Sequence, residues 1–462
     1  MNINNKEKLA LKVIDIWLDY RSRYSNLPGF QVCIRKGNKV FFSKAYGYAN
    51  LLTKKSLTTK DLFHIASQSK TFTSCAILQL VEQGKLNLHQ PALDFLPELK
   101  NHKDKRFKQI TVRDLLSHRS GLFRDGIDSE FWDLQKPFPS REKLIQEVLS
   151  SNLIYAPNEC TKYSNMGFSL LGLVLENALG MSFQSAMESL ILKKLKNTSI
   201  LTDYSDKKKG SFAEGHSRPF LEHKRLPFKH VPTFALAPAT GFCGNAEETS
   251  FFFETLFLGK GLLSHEMQKE LLSLNWLVKN ASQERYGLGV HFDKFPDMEL
   301  VGHSGSYPGF STNTAHALGT NYVINFFLNT NEIMPMRVVR SIIQIFNKID
   351  LTFTPEEAKQ AITGGPLMNR WRGIFFVLAK KKGLYFPLEN WTPGEEAMVL
   401  SSQNGEEFLC DQQIGYDSIG EKITFKKDKD GNILSAKLGS YSYVLEKTFL
   451  NKLKGTLLTS IE

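Results

Sequence analysis

The sequence predicts an α+β, sandwich-like protein in which strands from both ends of a long first region share one mixed, mainly antiparallel sheet around an inserted helical lobe, followed by a small all-β domain. Three observations lead there. Strand-like alternation fills residues 29–50 and returns from Tyr286. Helical spacing fills most of the stretch between them. Beyond about residue 366 only short strand-like runs remain, separated by Gly, Asn and Asp.

The first element is an amphipathic helix within MNINNKEKLALKVIDIWLDYRSRY, whose charges interrupt the apolar positions, unlike the h-region of a secretory signal. GFQVCIRKG and KVFFSKAYGYAN then alternate around Gly37-Asn38, which predicts an antiparallel hairpin. TFTSCAILQLVEQG, TVRDLLSH, REKLIQEVLSS, GFSLLGLVLENALG and SFQSAMESLILKKL place apolar residues three or four apart and predict helices. YGLGVHF, MELVGHSG, STNTAHAL and YVINFFLN read as strands, and a helix follows from about Met336 to Ile349. These patterns set a first domain at residues 1–350, a linker at 351–366 within the turn-rich LTFTPEEAKQAITGGPL, and a β domain at 367–462.

The chain has 462 residues, 42% of them hydrophobic, enough for more than one core. A formal charge of +11 raises nucleic acid or an anionic surface as partners, but the basic residues are scattered in short groups and no zinc-finger or RNP pattern accompanies them. No apolar run of about 18 residues suggests a membrane span. The five cysteines are an odd number without a C-x-x-C pair, which suits free thiols in a reducing compartment; together with the absence of a recognisable signal, this gives a cytoplasmic expectation. Neither H-E-x-x-H nor G-x-x-x-x-G-K-[ST] occurs, so no metal and no nucleotide cofactor are expected. Oligomeric state is not legible.

Chemistry concentrates in three short elements. In FHIASQSKTFTSCAILQLVEQG, Ser67 and Lys70 open a long apolar helix. Residues three apart on a helix share a face, so an amine lies beside a hydroxyl at the positive end of the helix dipole. Burial lowers a lysine's pKa and lets the amine take the serine proton during attack on a carbonyl. The same S-x-x-K spacing occurs at Ser140/Lys143 and Ser205/Lys208, but in polar surroundings, and a helix-capping serine is the competing reading of Ser67. In KYSNMGF, Tyr163 and Asn165 alternate to one side of an extended turn, the phenol suited to passing protons with some phenolate character and the carboxamide to holding a substrate amide or the lysine. In ELVGHSGSYPGF, His303, Ser304, Gly305 and Ser306 edge a strand. A glycine there permits close approach, and the Ser306 N–H joins that of Ser67 as a pair of oxyanion donors.

S-x-x-K, Y-x-N and H-x-G in this order, with ITVRDLLSHRSGL, PATGFCGNAEETSFFFETL and VGHSGSYPGFSTN around them, resemble the serine β-lactamase and penicillin-binding-protein superfamily, especially its class C-like branch. The resemblance covers residues 29–349. It implies a β-lactamase-like hydrolase domain with Ser67 as nucleophile, Lys70 and Tyr163 as the proton-handling pair, and Asn165, His303, Gly305 and Ser306 as substrate-binding positions. His303 stands where many relatives carry lysine. A neutral imidazole does not supply the fixed cation that attracts the carboxylate of β-lactams and stem peptides. The expected activity is therefore a peptidase or esterase acting on a small molecule or short peptide. A β-lactamase or D,D-peptidase is one alternative, and a non-catalytic scaffold on the same fold another. The C-terminal part resembles, loosely, the lipocalin-like barrels appended to some peptidases of the superfamily. His118 in LLSHRSGL is expected to be a structural histidine.

Overall fold

The computed structural model describes residues 3–196, 198–205, 211–220, 224–273, 275–278, 284–363, 365–369, 373–379, 382–402, 407–410 and 421–456. The chain forms two compact units, Leu27–Met336 and a second drawn from the chain ends, Met1–Asn26 with Arg337–Glu462. Contacts thus divide the chain after residue 336, where sequence pattern alone placed the boundary after 350. The expected linker 351–366 carries the helix Pro355–Gln360, opened by a capping box between Thr354 and Glu357, and the strand Ile362–Thr363.

In the first unit nine strands form one sheet in the order Lys55–Ser56, Lys39–Asn50, Gly29–Lys36, Tyr322–Leu328, Phe310–Ala317, Glu299–Tyr307, His291–Lys294, Glu284–Gly287, Asn275–Leu277. Every pairing is antiparallel, so the expected mixture of directions resolves to one kind. Gly37 and Asn38 both take positive φ, +58° and +64°, which is the backbone a two-residue I′ hairpin requires. The two ends of the region meet in the middle of the sheet, from Phe30↔Leu328 to Lys36↔Tyr322.

Between these strands lie the helices Ser69–Glu82, Val112–Leu116, Arg141–Ser150, Asn165–Leu179 and Ala246–Leu258, the first four on stretches whose spacing predicts helices and the fifth within PATGFCGNAEETSFFFETL, which is not among them. Their apolar faces fuse into one core, in which Phe72 stacks on Phe242 at 4.8 Å and meets Phe253 edge-on at 6.5 Å. Ser140 of the second S-x-x-K pair is a cap: its side chain accepts from Lys143 N. Lys208 of the third pair lies outside the described residues.

In the second unit eight antiparallel strands, Leu367–Asn369, Gly373–Ala379, Lys382–Pro387, Met398–Ser402, Glu407–Cys410, Lys422–Lys427, Ile433–Leu438 and Tyr441–Leu445, pair in sequence order, and the last returns to the first. Among the described residues these eight strands close into an up-and-down barrel. Side chains fill its interior, with Phe375 against Tyr385 at 4.5 Å and Tyr443 at 4.6 Å. The helix Asn5–Tyr24 belongs to this unit: Trp17 Nε1 donates to Asn390 O at 3.1 Å, and the Arg21 guanidinium lies 4.4 Å from the centre of the Trp391 ring.

Candidate active site

Ser67 lies on a single 3₁₀ turn, Ala66–Gln68, that leads directly into the helix Ser69–Glu82. The turn is strained: Ala66 has φ +54°, a left-handed conformation that costs a non-glycine residue about 1–2 kcal/mol. Four hydrogen bonds hold it. Ile65 N donates to Phe242 O at 2.9 Å, Thr312 Oγ1 to Ile65 O at 3.0 Å, Ser69 Oγ to Ala66 O at 2.6 Å, and Phe242 N to Ser69 Oγ at 3.0 Å. The side chain so presented is half-buried, with its oxygen turned towards a cleft of about 580 Å³ that Ser67 helps to line.

Lys70 is fully buried, with Nζ 3.2 Å from Ser67 Oγ, 2.7 Å from Asn165 Oδ1 and 2.8 Å from Ala239 O. The amide of Asn165 is oriented by Asp125, whose Oδ1 accepts from Asn165 Nδ2 at 2.5 Å, so Oδ1 of Asn165 must face the lysine as acceptor. Burial holds the Lys70 amine well below its ordinary pKa, with Asp125 opposing the shift and Arg124 adding to it. A neutral amine has two N–H groups and one lone pair. In that form Asn165 Oδ1 and Ala239 O would take the two hydrogens, and the lone pair would face Ser67 Oγ.

Tyr163 Oη donates to Ser67 Oγ at 2.8 Å. Burial pushes its phenol well above the usual tyrosine value, against the lowering effects of Ser67 and Arg124. The sequence-based expectation of phenolate character is therefore corrected: a desolvated phenol keeps its proton, and the Ser67 oxygen lies between the Tyr163 hydroxyl and the Lys70 amine. His118 steadies this wall. Its Nδ1 accepts from Ser164 N at 3.1 Å and its ring lies 4.3 Å from that of Tyr163, while Nε2 has no hydrogen-bond partner among the described residues.

The strand Glu299–Tyr307 brings the third element. Its partner Leu318 N donates to Glu299 O, so along the antiparallel register residues 299, 301, 303, 305 and 307 bond to the strand Phe310–Ala317 while 304 and 306 point their N–H and C=O groups the other way. On that side the neighbouring strand pairs only with Glu299–Gly302. The N–H of Ser306 is thus directed into an unpaired strand edge. A Cβ on Gly305 would lie 2.2 Å from Ile65 O and 3.0 Å from Ala66 Cβ, so the edge abuts the Ser67 turn at a distance only glycine permits.

His303 is buried, and its hydrogen bonds fix its tautomer: Nδ1–H donates to Ser304 O at 2.6 Å, and Nε2 accepts from Tyr286 Oη at 3.0 Å. Burial, with a smaller push from Lys70, lowers its pKa to about 3, so it is neutral at physiological pH. All seven residues singled out in the sequence therefore gather at one place. Sequence reasoning missed Asp125, Ala239 and Tyr286. Ala239 acts through a backbone oxygen that no side-chain motif signals, Asp125 stands in an irregular loop, and Tyr286 read only as the start of a strand.

The chain matches the Beta-lactamase family model over residues 19–344. It is 27% identical over 368 residues to Protein flp of Staphylococcus aureus strain MRSA252, covering 79% of this chain and 70% of that protein. Among solved structures it is similar to the octameric penicillin-binding protein homologue from Pyrococcus abyssi, with TM-score 0.65, 19% identity, and coverage of 94% of this chain and 99% of that one. It is also similar to the D-amino acid amidase from Ochrobactrum anthropi SV3, with TM-score 0.64, 19% identity, and coverage of 74% and 99%. The family match begins inside the helix Asn5–Tyr24 and ends inside the helix Pro335–Thr352. A match of that length, across the stretch that builds both the sheet and the cleft, means that the chain belongs to the Beta-lactamase family.

Proposed function

We propose that the protein is a serine hydrolase that cleaves an ester or amide through an acyl-enzyme on Ser67. The observation that carries this reading is the position of Ser67 Oγ, within 3.2 Å of a desolvated amine and 2.8 Å of a protonated phenol. As Ser67 attacks the carbonyl, its proton passes to the Lys70 lone pair, and the oxyanion is met by the backbone N–H groups of Ser67 and Ser306. Tyr163 donates its proton to the leaving group and is reprotonated from Lys70 through the serine oxygen's position. Water then enters by the same route in reverse and releases the acid.

Neutral His303 favours substrates without a carboxylate at that wall, hence an esterase or peptidase over a β-lactamase. The fold shared with a D-amino acid amidase supports amides as one substrate class. The free thiols of Cys33, Cys75 and Cys243, all buried, support a reducing compartment such as the cytoplasm. The discriminating experiment sets simple esters, D- and L-amino-acid amides and a β-lactam side by side. Turnover of esters or amides with slow or no β-lactam hydrolysis is expected; efficient β-lactam hydrolysis reverses the preference, and no turnover of any kind favours a scaffold.

The pH dependence has a definite sign. The base works neutral and the acid works protonated. Activity is lost as pH falls through the Lys70 pKa, which lies well below the usual lysine value, and persists upward because the Tyr163 pKa is raised. A kcat/KM profile that rises through the range below about pH 10 and holds a plateau is expected. A limb falling with the pKa of an ordinary tyrosine would mean that burial does not raise the pKa of the working phenol.

A further inference from the structure

One part of the cleft wall takes no part in the proton chain. Ile333, Met334, Pro335 and Met336 are consecutive and apolar, and with Val278 and Tyr286 they line the cleft that holds Ser67. Met334 is 57% exposed, and Leu277, beside Val278, is 53% exposed. Apolar side chains left in water beside a nucleophile mark a surface that a ligand covers, and unbranched thioethers adapt to ligands of varied shape.

The wall is held in place by the hairpin that carries Ser306. Asn331 Nδ2 donates to Tyr307 O at 3.1 Å and to Phe310 O at 2.7 Å, and Asn331 Oδ1 accepts from Gly309 N at 2.7 Å. Much of the charge on the lining is compensated. Glu332 pairs with Arg225 and Arg124 with Asp125 at 2.9 Å, while Arg218 Nε donates to the neutral carbonyl of Asn331 at 3.1 Å. His303 is neutral and supplies no cation to the cleft. Along Ile333–Met336 the side chains offer a substrate apolar area.

We propose that Ile333–Met336, with Val278 and Tyr286, form a subsite for an aliphatic or aryl group of the substrate, so that the protein prefers esters or amides bearing an apolar chain over short polar ones. This rests on the hydrolase reading above and adds the substrate class to it. The chain belongs either to the acyl part or to the alcohol or amine part, and two series tell these apart: p-nitrophenyl acetate, butyrate and hexanoate, and the acetates of ethanol, butanol and hexanol.

The full-length protein is expected to gain about two- to fourfold in kcat/KM per added methylene in one of the two series, after division by the rate of hydroxide-catalysed hydrolysis of each ester. The readout for variants is the ratio of the longest to the shortest ester within each protein. That ratio should fall severalfold in Met334→Gln and in Met336→Gln; because Met334 is largely exposed, its replacement does not threaten the fold. Turnover of acetate without any gain in either series overturns the subsite and leaves the hydrolase standing. A gain that survives both substitutions unchanged overturns the placement at the methionines. No ester turnover, with no acyl adduct on Ser67, overturns both readings together.

Discussion

Replacing Ser67 with alanine is expected to lower kcat/KM on every turned-over ester and amide by at least about 10⁴-fold and to abolish adduct formation with a fluorophosphonate probe. The unfolding free energy should move by no more than about 1 kcal/mol. The first expectation follows from the proposed mechanism: among the described residues, Ser67 Oγ is the hydroxyl that both Tyr163 Oη and Lys70 Nζ reach. The second follows from exposure. Ser67 is half-buried and lines the cleft, so water can enter in place of the lost hydroxyl. Lys70→Arg separates nucleophile from base. A guanidinium stays charged and cannot accept the proton, so labelling should be lost although Ser67 is intact. Mass mapping of the probe checks both variants. An adduct that persists in Ser67→Ala, or that maps to another residue, removes the proposed nucleophile.

The chemistry-bearing side chains were legible because each sits in a short segment whose local geometry is almost fixed by sequence. Ser67 and Lys70 are one helical turn apart, and Tyr163 and Asn165 flank the capping Ser164. Most strands were legible by alternation, including seven of the eight in the barrel; Leu367–Asn369, Lys55–Ser56 and Asn275–Leu277 are too short to show a period, and YGLGVHF, read as one strand, is split between Glu284–Gly287 and His291–Lys294. What sequence could not give were relations made by tertiary packing. The carbonyl of Ala239 reaches Lys70 because the segment Ala237–Gly241 lies against two helices, and Tyr286 reaches His303 past the strand His291–Lys294 that lies between their two strands in the sheet. The division of the chain after residue 336 was equally hidden, since a helix is continuous in sequence whichever core each of its turns contributes to. The state of the phenol also depended on burial, which a motif does not report.

The second large effect is expected at a residue without a functional group. Gly305→Ala adds one methyl, but the atom it meets at 2.2 Å is the backbone oxygen of Ile65, with Thr312 Oγ1 at 2.4 Å and Ala66 Cβ at 3.0 Å. A backbone oxygen cannot rotate aside, and this one is already held by Thr312 Oγ1. The strand and the nucleophile turn must therefore separate by about 1 Å, which costs about 1–3 kcal/mol of stability as overpacking does elsewhere. The same displacement moves the Ser306 N–H away from the place where the oxyanion forms, and a misplacement of about that size lowers kcat by about 10²-fold. Thr312→Ala removes one of the two close oxygens, yet the Ile65 carbonyl remains, so Gly305→Ala/Thr312→Ala should recover neither stability nor rate. Urea unfolding and single-turnover kinetics on one ester read the two effects separately. A Gly305→Ala protein that folds normally and keeps wild-type kcat would mean that the strand edge does not supply an oxyanion donor, because the contact that fixes its distance from Ser67 would have been broken without consequence.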